Sequence, residues 1–364
     1  MALALNQIVW SEPIVPLAPD PAWEAEVKRR GGRVFEVDRR VASNPWLREA
    51  CFAAVSYRPS EIPERLYRIG SMVTAQENSC RYCYGANRAL MKVLGYSEAF
   101  IQAIERDLHL AELDERDRAF IAFCRDLARS KPRPSGAARD ALLALGFTRR
   151  AVHEMAFAIS MACFFNRVTT LMACPPELGM EALANGPLGR LVGLLVPLTA
   201  RLGSLARRKP VETPLDAAAL AGSRFGAVLV PLAGLAAARV MKSALEGAFA
   251  SSVLRPIPKA MIFAVIARAL NCSNCESTAC GLLSDQGIGN SEIASALADL
   301  QSEHLAAGEA GLLTWARGTV HYDTGEIQRE TRALAAAIGN AAVLEAIGVA
   351  ALANATARMA MLIA

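Results

Sequence analysis

The chain has 364 residues, of which 53% are hydrophobic and 20% are charged, and its formal net charge at pH 7 is +4. This composition excludes an intrinsically disordered chain, and the length is sufficient for two domains with cores of their own. Because the charge is close to neutral for this length, the sequence gives no indication of nucleic-acid binding.

The cysteine usage and the N-terminus favour a reducing compartment. The nine cysteines are odd in number and scattered, and the first residues have neither a basic stretch nor a sustained apolar stretch of the kind found in signal peptides. Prolines and arginines interrupt the apolar runs 188–205 and 225–240, so neither has the roughly 20 unbroken apolar residues of a membrane span. We expect a cytoplasmic protein without a membrane span.

Helix signals follow one another from the N-terminus onward. A capping residue or a proline at the first helical position marks each start, and apolar residues recur at helical spacing behind it. The start signals are Asp20-Pro21, Asn44-Pro45, Pro63, Ser97 and Asp114, and a long apolar helix is predicted from 152 to about 172. Strand signals are almost absent, so the sequence predicts an all-α fold.

A Cys-x-x-Cys motif, Cys80-Arg81-Tyr82-Cys83, lies between two predicted helical segments. The free N–H groups and the dipole at a helix start stabilise a thiolate and lower the pKa of a cysteine there, and Arg81 adds positive charge. A thiolate can attack a peroxide oxygen or a disulfide sulfur, and a second thiol three residues away can then resolve the product. The motif therefore points to redox chemistry.

A second pair, Cys272 and Cys275, follows the first pair at an offset of 192 residues. Hydrophobic and charged positions keep nearly the same offset across some 85 residues; Glu345, for example, corresponds to Glu154, and Arg358 to Arg167. We interpret the chain as a tandem duplication with domains at 1–180 and 215–364, joined by an apolar linker and helix at 181–214.

The thiol motif from Glu77 to Asn87 resembles that of the alkylhydroperoxidase D-like proteins, which belong to the carboxymuconolactone decarboxylase superfamily. Three further segments are similar to this family: Asn44-Pro45-Trp46-Leu47, the acidic run after Leu113, and Asn166-Arg167. This resemblance implies an all-helical fold that assembles into homo-oligomers. It also implies a peroxidase or disulfide reductase with no cofactor and no metal, in which Cys83 attacks the substrate and Cys80 resolves.

The proton relay of that family is only partly matched. Asn87 stands where the family has a histidine, and an amide cannot carry a proton at neutral pH. Glu77 would lie beside Cys80 if one continuous helix held both. As a hypothesis, His153 on the late helix replaces the missing base.

The second copy has lost more of these residues than the first. Alanine or leucine stands at the positions that correspond to Glu77, Asn87, His153 and Asn166, namely at Ala269, Ala279, Leu344 and Ala357. An apolar environment raises the pKa of a thiol, so we expect Cys272 and Cys275 to be inert and the second half to act as a packing partner.

Three other interpretations compete with the redox one. Both Cys-x-x-Cys pairs could join in a tetrahedral zinc site. The protein could be a lyase of the same superfamily that acts without the thiols, or a non-catalytic helical assembly. On the favoured interpretation, the partners are a small hydroperoxide or disulfide substrate and a thiol reductant.

Overall fold

The computed structural model describes residues 3–106, 111–131, 135–186 and 214–363, and these contain helices and no strands. The all-α prediction is therefore confirmed for these residues. Most of the linker predicted at 181–214 lies outside them. The helices of the first part are α1 (Pro21–Arg29), α2 (Glu36–Arg40), α3 (Pro45–Ser56), α4 (Glu64–Glu77), α5 (Arg81–Val93), α6 (Glu98–Arg106), α7 (Glu115–Arg129), α8 (Gly136–Ala144), α9 (Arg149–Leu171) and α10 (Leu178–Asn185).

The second part, from residue 214 onward, is also helical. Its helices are α11 (Ala217–Ala221), α12 (Gly226–Leu229), α13 (Ala236–Ala250), α14 (Pro256–Ala269), α15 (Ser273–Ser284), α16 (Asn290–Asp299), α17 (Leu312–Gly318), α18 (Thr324–Ile338) and α19 (Asn340–Ile363). Short 3₁₀ turns lie at Leu5–Gln7, Val230–Leu232 and Ala307–Glu309.

Local capping explains the helix starts that the sequence predicted. The side chains of Asp20, Asn44 and Asp114 each accept a hydrogen bond from a backbone N–H in the first turn of the helix that follows. Thr148 caps α9 in the same way, through Ala151 N–H. These caps satisfy N–H groups that have no partner within the helix, so the residue type alone fixes where the helix begins.

The long helices α9 and α19 pack against each other in the centre of the molecule. The α4–α5 hairpin packs on α9, and α14 and α15 pack on α19, while α3 packs on α13 across the two parts. The sequence offset relates α4 and α5 to α14 and α15, and α9 to α19, and these helices have similar neighbours in the two parts. The duplication itself stays a prediction. By length and composition α19 could cross a membrane, but 94% of its most apolar stretch is buried inside the protein, as in a core helix.

A buried polar cluster joins the two parts at the start of α19. The carboxylate of Glu345 accepts hydrogen bonds from Trp46 Nε1 at 2.7 Å and from Asn44 Nδ2, and its other oxygen lies 3.6 Å from Lys259 Nζ. Lys259 also donates to the carbonyl of Ala248 at 2.8 Å. Both charged groups are fully buried, so each depends on the other for charge compensation.

The corresponding residue of the first part, Glu154, is buried and held by neutral hydrogen-bond donors. Its carboxylate accepts hydrogen bonds from Tyr57 Oη at 2.7 Å and from the backbone N–H groups of Ser60 and Glu61. It thereby holds the loop after α3 directly against α9, whereas Glu345 reaches the loop after α13 through Lys259, which donates to the Ser251 carbonyl.

Trp46 fills a space that two glycines leave open. A Cβ atom at Gly348 would lie 2.7 Å from the Trp46 ring, and one at Gly247 would lie 2.9 Å from Trp46 Cβ. Since real Cβ contacts are not this short, the packing of α3 against α13 and α19 requires glycine at both positions.

Candidate thiol site

A tight turn between α4 and α5 places the first thiol pair. Ser79 has φ +48°, and the N–H groups of Ser79 and Cys80 donate to the carbonyls of Gln76 and Ala75, both at 3.0 Å. This is the Schellman pattern of a helix end. Because the turn ends α4 and also makes Cys80 the N-cap of α5, the Cys80 sulfur lies over the free N–H groups and accepts a hydrogen bond from Cys83 N at 3.2 Å.

Thr169 on α9 joins the two sulfurs. Its Oγ1 lies 3.1 Å from Cys80 Sγ and 3.2 Å from Cys83 Sγ. The same hydroxyl is also within hydrogen-bond distance of the Phe165 and Asn166 carbonyls, so its single proton has several acceptors. Both cysteines are buried, with 0% and 3% of their surface exposed. One hydroxyl group therefore positions both thiols in a closed environment.

The two thiols differ in acidity. Burial opposes the thiolate of Cys80, but hydrogen bonds from the Cys83 thiol, the Thr169 hydroxyl and the Cys83 N–H outweigh it and lower the Cys80 pKa. Burial, the hydrogen bond to Cys80 and the Cys80 charge raise the pKa of Cys83 well above its usual value. The pair loses its first proton as a unit, and the resulting charge resides on Cys80.

Glu77 and Cys80 do not lie on one continuous helix, so Glu77 does not have the expected position one turn before Cys80. The prediction assumed a continuous helix, whereas α4 ends at Glu77 and the left-handed residue Ser79 turns the chain. The Glu77 carboxylate accepts from Arg129 Nη2 at 2.8 Å and lies 3.4 Å from Arg125 Nε. Its contacts are thus ion pairs with α7.

Asn87 and His153 also make contacts other than those expected of a relay. Asn87 Nδ2 donates to the carbonyl of Cys83 at 2.8 Å, so the amide caps a backbone group within α5. His153 Nδ1 contacts the carbonyl of Pro231 at 2.7 Å. Along α9, His153 lies roughly 24 Å from Thr169, since a helix rises about 1.5 Å per residue. His153 cannot act directly as a base on either thiol.

A loop from the second part covers the turn that precedes Cys80. Tyr322 Oη donates to the Asn78 carbonyl at 3.0 Å, and Thr324 Oγ1 donates to the Ser79 carbonyl at 3.2 Å. Tyr322 and Thr169 were missed by the sequence analysis. Thr169 lies two residues after the Asn166-Arg167 pair that was noted, but Tyr322 is 244 residues from its partner and has no local signal.

The second thiol pair has the same backbone turn. Asn271 has φ +52°, and Cys272 N–H donates to the Ala267 carbonyl at 2.9 Å. The Cys275 thiol, and after it the N–H groups of Cys275 and Asn274, lower the pKa of Cys272 against its burial. The expectation that the apolar surroundings raise the thiol pKa therefore does not hold for Cys272, on which the Cys275 thiol and the helix start act. The pKa of Cys275 is raised well above its usual value by its hydrogen bond with Cys272 and by burial.

What the second pair lacks is the shared hydroxyl. At the offset that aligns Arg358 with Arg167, the position of Thr169 is taken by Ala360. Among the described residues, no hydroxyl side chain is within hydrogen-bond distance of Cys272 or Cys275.

The zinc interpretation is wrong. In the part of the chain that the structure describes, the metal-ligating side chains whose donor atoms come together are Glu292, Glu303 and His304. The thiols of Cys80, Cys83, Cys272 and Cys275 do not gather into one site.

Comparison with known proteins yields one structural likeness. No protein-family model and no curated protein matches this sequence. The chain is similar to the crystal structure of an alkylhydroperoxidase core, an uncharacterized peroxidase-related protein from Ralstonia eutropha JMP134, with a TM-score of 0.42 and 20% sequence identity. The match covers 50% of this chain and 98% of the other.

Proposed function

We propose that the protein is a thiol-dependent oxidoreductase in which Cys80 and Cys83 reduce a hydroperoxide or a disulfide. The observation that carries this proposal is the contact of both sulfurs with the single hydroxyl of Thr169, at 3.1 and 3.2 Å, at the start of a helix. Such an arrangement stabilises one thiolate and keeps a second thiol beside it. The motif's resemblance to alkylhydroperoxidase D-like proteins supports the same chemistry.

The acidity of the pair assigns the roles in the reverse order from the one that the resemblance implies. Cys80 is the stronger acid, so we propose that its thiolate attacks and that Cys83 resolves. With a hydroperoxide, a sulfur–oxygen bond forms at Cys80, the oxygen–oxygen bond breaks, and the alkoxide leaves as an alcohol after taking a proton. Cys83 then displaces water from the sulfenic acid, giving a Cys80–Cys83 disulfide.

The reaction consumes one dithiol and one hydroperoxide and yields one disulfide, one alcohol and one water. With a disulfide substrate, the Cys80 thiolate forms a mixed disulfide that Cys83 resolves, releasing two thiols. In either case an external thiol reductant must restore the pair. The cytoplasmic location and homo-oligomeric assembly expected from the sequence stay predictions.

The test is hydroperoxide and disulfide turnover with a dithiol reductant, using cysteine variants of each pair. We expect Cys80→Ser and Cys83→Ser each to reduce turnover to the background rate, while Cys272→Ser with Cys275→Ser retains it. Mass spectrometry should show a Cys80–Cys83 disulfide after one equivalent of hydroperoxide. If the untreated thiols do not react with either oxidant, the non-catalytic or thiol-independent alternatives replace this proposal.

A further inference from the structure

A cavity of about 330 Å³ lies beside the turn that leads into Cys80. The first part supplies Asn78 and Ser79 to its wall, and the loop before α18 supplies Val320, His321 and Tyr322. Ser79 is the direct neighbour of Cys80 in the chain. The cavity is therefore built by both parts of the molecule and lies beside the turn that positions Cys80; the residues that line it include this turn but neither cysteine.

Three cationic side chains line this cavity, namely Arg129, Lys131 and Arg167. The carboxylate among the lining residues is Glu77, which already accepts from Arg129 and lies 3.4 Å from Arg125. Within the described residues, Lys131 has no ion pair. The lining thus has an excess of positive charge.

Arg167 contributes a buried positive charge to this lining. It is 1% exposed, and its guanidinium donates to the carbonyls of Thr319 and Val320 at 3.1 Å and to Asn78 Oδ1 at 3.2 Å. None of its partners in the described residues is a carboxylate. Carbonyl and amide oxygens satisfy its N–H groups but leave its charge uncompensated.

A second buried guanidinium lies directly behind Arg167. Arg358 is fully buried and donates to the same Val320 carbonyl at 3.2 Å, and its Nε has no hydrogen-bond partner among the residues that the structure describes. Burial, followed by the charge of Arg167, lowers the pKa of Arg358 to about 9. Two neighbouring buried cations without a carboxylate between them create a field that attracts an anion into the adjacent cavity.

Tyr322 lines this cavity and contacts the turn that precedes Cys80. The Arg167 guanidinium carbon lies 5.6 Å from the centre of its ring, and its hydroxyl donates to the Asn78 carbonyl. Burial and the charge of the Cys80 thiolate raise the pKa of Tyr322 to about 12, although Arg167 opposes this. Tyr322 therefore lies between the cationic lining of the cavity and the turn that precedes Cys80.

We propose that this cavity binds the carboxylate of the substrate that the thiol pair reduces, so that the enzyme prefers small disulfides or hydroperoxides that carry a negative charge. This inference rests on the proposed redox function. The cationic wall offsets the repulsion that an anionic substrate would otherwise meet from the Cys80 thiolate. Arginine and lysine side chains are suited to binding a carboxylate.

The test compares three symmetrical disulfides that differ mainly in charge: 3,3′-dithiodipropionate, 2-hydroxyethyl disulfide and cystamine. We expect the reduced protein to react fastest with the dicarboxylate, by about tenfold over the neutral compound, and slowest with the diamine. The preference should shrink as salt is added, because salt screens charges near the surface. Equal rates for all three compounds, with loss of reaction in Cys80→Ser, would overturn the anion preference and leave the redox function standing.

Charge variants locate the preference in this cavity. Lys131→Glu changes an exposed side chain, so we expect it to fold and to abolish the preference for the dicarboxylate; Arg167→Gln should do the same if it folds. Lys28→Glu makes the same charge change at an exposed position on α1, so it is the matched control and should leave the preference unchanged. If Lys28→Glu weakens the preference as much as Lys131→Glu, the net charge of the protein and not the cavity is responsible.

A binding measurement separates this proposal from the redox function. Octanedioate has the length and charge of 3,3′-dithiodipropionate but no disulfide bond. Calorimetric titration should show that it binds the unmodified protein and the Cys80→Ser variant, and that Lys131→Glu loses this binding. Absence of octanedioate binding to the unmodified protein would contradict the proposal even if the thiols proved fully active.

Discussion

The two thiol pairs have the same backbone but different surroundings. Cys80 and Cys272 each follow a residue with left-handed backbone conformation, and each is the N-cap residue of a helix. The pKa of each thiol is lowered. Within the described part of the chain, the shared threonine hydroxyl is found at the first pair alone, and Ala360 stands at the position that corresponds to Thr169. In the first pair, the other half of the molecule also covers the preceding turn through Tyr322.

This difference shows that the backbone turn of a thiol pair and the side chains that contact its sulfurs are separate features. The turn places a sulfur at a helix start, and the second thiol of the motif together with the N–H groups there lowers its pKa. Positioning of the second thiol requires Thr169 from α9, and the charged cavity beside the preceding turn requires Arg167 and the loop before α18. We therefore expect activity to follow the tertiary contacts and not the motif.

The largest expected effect concerns the buried glutamates that differ between the two halves. Glu345→Gln should lower the free energy of unfolding by about 3–5 kcal/mol, because it leaves the charge of Lys259 buried without a counter-ion. Glu154→Gln should cost about 1–3 kcal/mol, since it disturbs hydrogen bonds but no ion pair. Urea unfolding monitored by circular dichroism measures both, and equal losses would show that the Lys259–Glu345 contact contributes no charge compensation.

The second prediction sharpens the contrast between the thiol pairs. Thr169→Val keeps the side-chain shape but removes the hydrogen-bond donor to the Cys80 thiolate. A hydrogen bond to a charged group stabilises that charged form, so its loss should raise the Cys80 pKa. Reaction with iodoacetamide at neutral pH should slow accordingly, because the thiolate fraction falls.

Thiolate absorbance near 240 nm, followed against pH with Cys272 and Cys275 replaced by serine, gives this pKa. Thr169→Ser retains the hydroxyl and is the matched control. If Thr169→Val leaves the pKa unchanged, the hydroxyl donates its proton to the Phe165 or Asn166 carbonyl and the two pairs are equivalent in acidity.

The smallest expected effect tests how the halves are joined. Gly348→Ala should destabilise the protein by about 1–3 kcal/mol, since the new methyl group would overlap the Trp46 ring. Gly281→Ala, in α15, meets no atom within 4 Å and should stabilise the helix by about 0.5–1 kcal/mol. Thermal unfolding of the two variants should shift in opposite directions; a stabilised Gly348→Ala variant would contradict this packing of Trp46.

The errors of the sequence analysis have identifiable physical causes. Glu77 was placed beside Cys80 because serine at position 79 gives little warning of a left-handed residue, which glycine or asparagine would signal. His153 was chosen for its chemistry alone, and its distance along α9 excludes it. Thr169 was overlooked because a threonine inside an apolar helix has no distinguishing local pattern.

The sequence by itself determined the helical architecture of the described residues, the capped helix starts and the position of Cys80 at the start of a helix. These features depend on contacts between residues a few positions apart, which hydrophobic spacing and capping residues encode directly. The tertiary structure decided which groups meet the sulfurs and where positive charge collects. Thr169, Tyr322 and the Arg167–Arg358 pair come together only when α9 packs against α19, because their contacts join residues that are far apart in the chain.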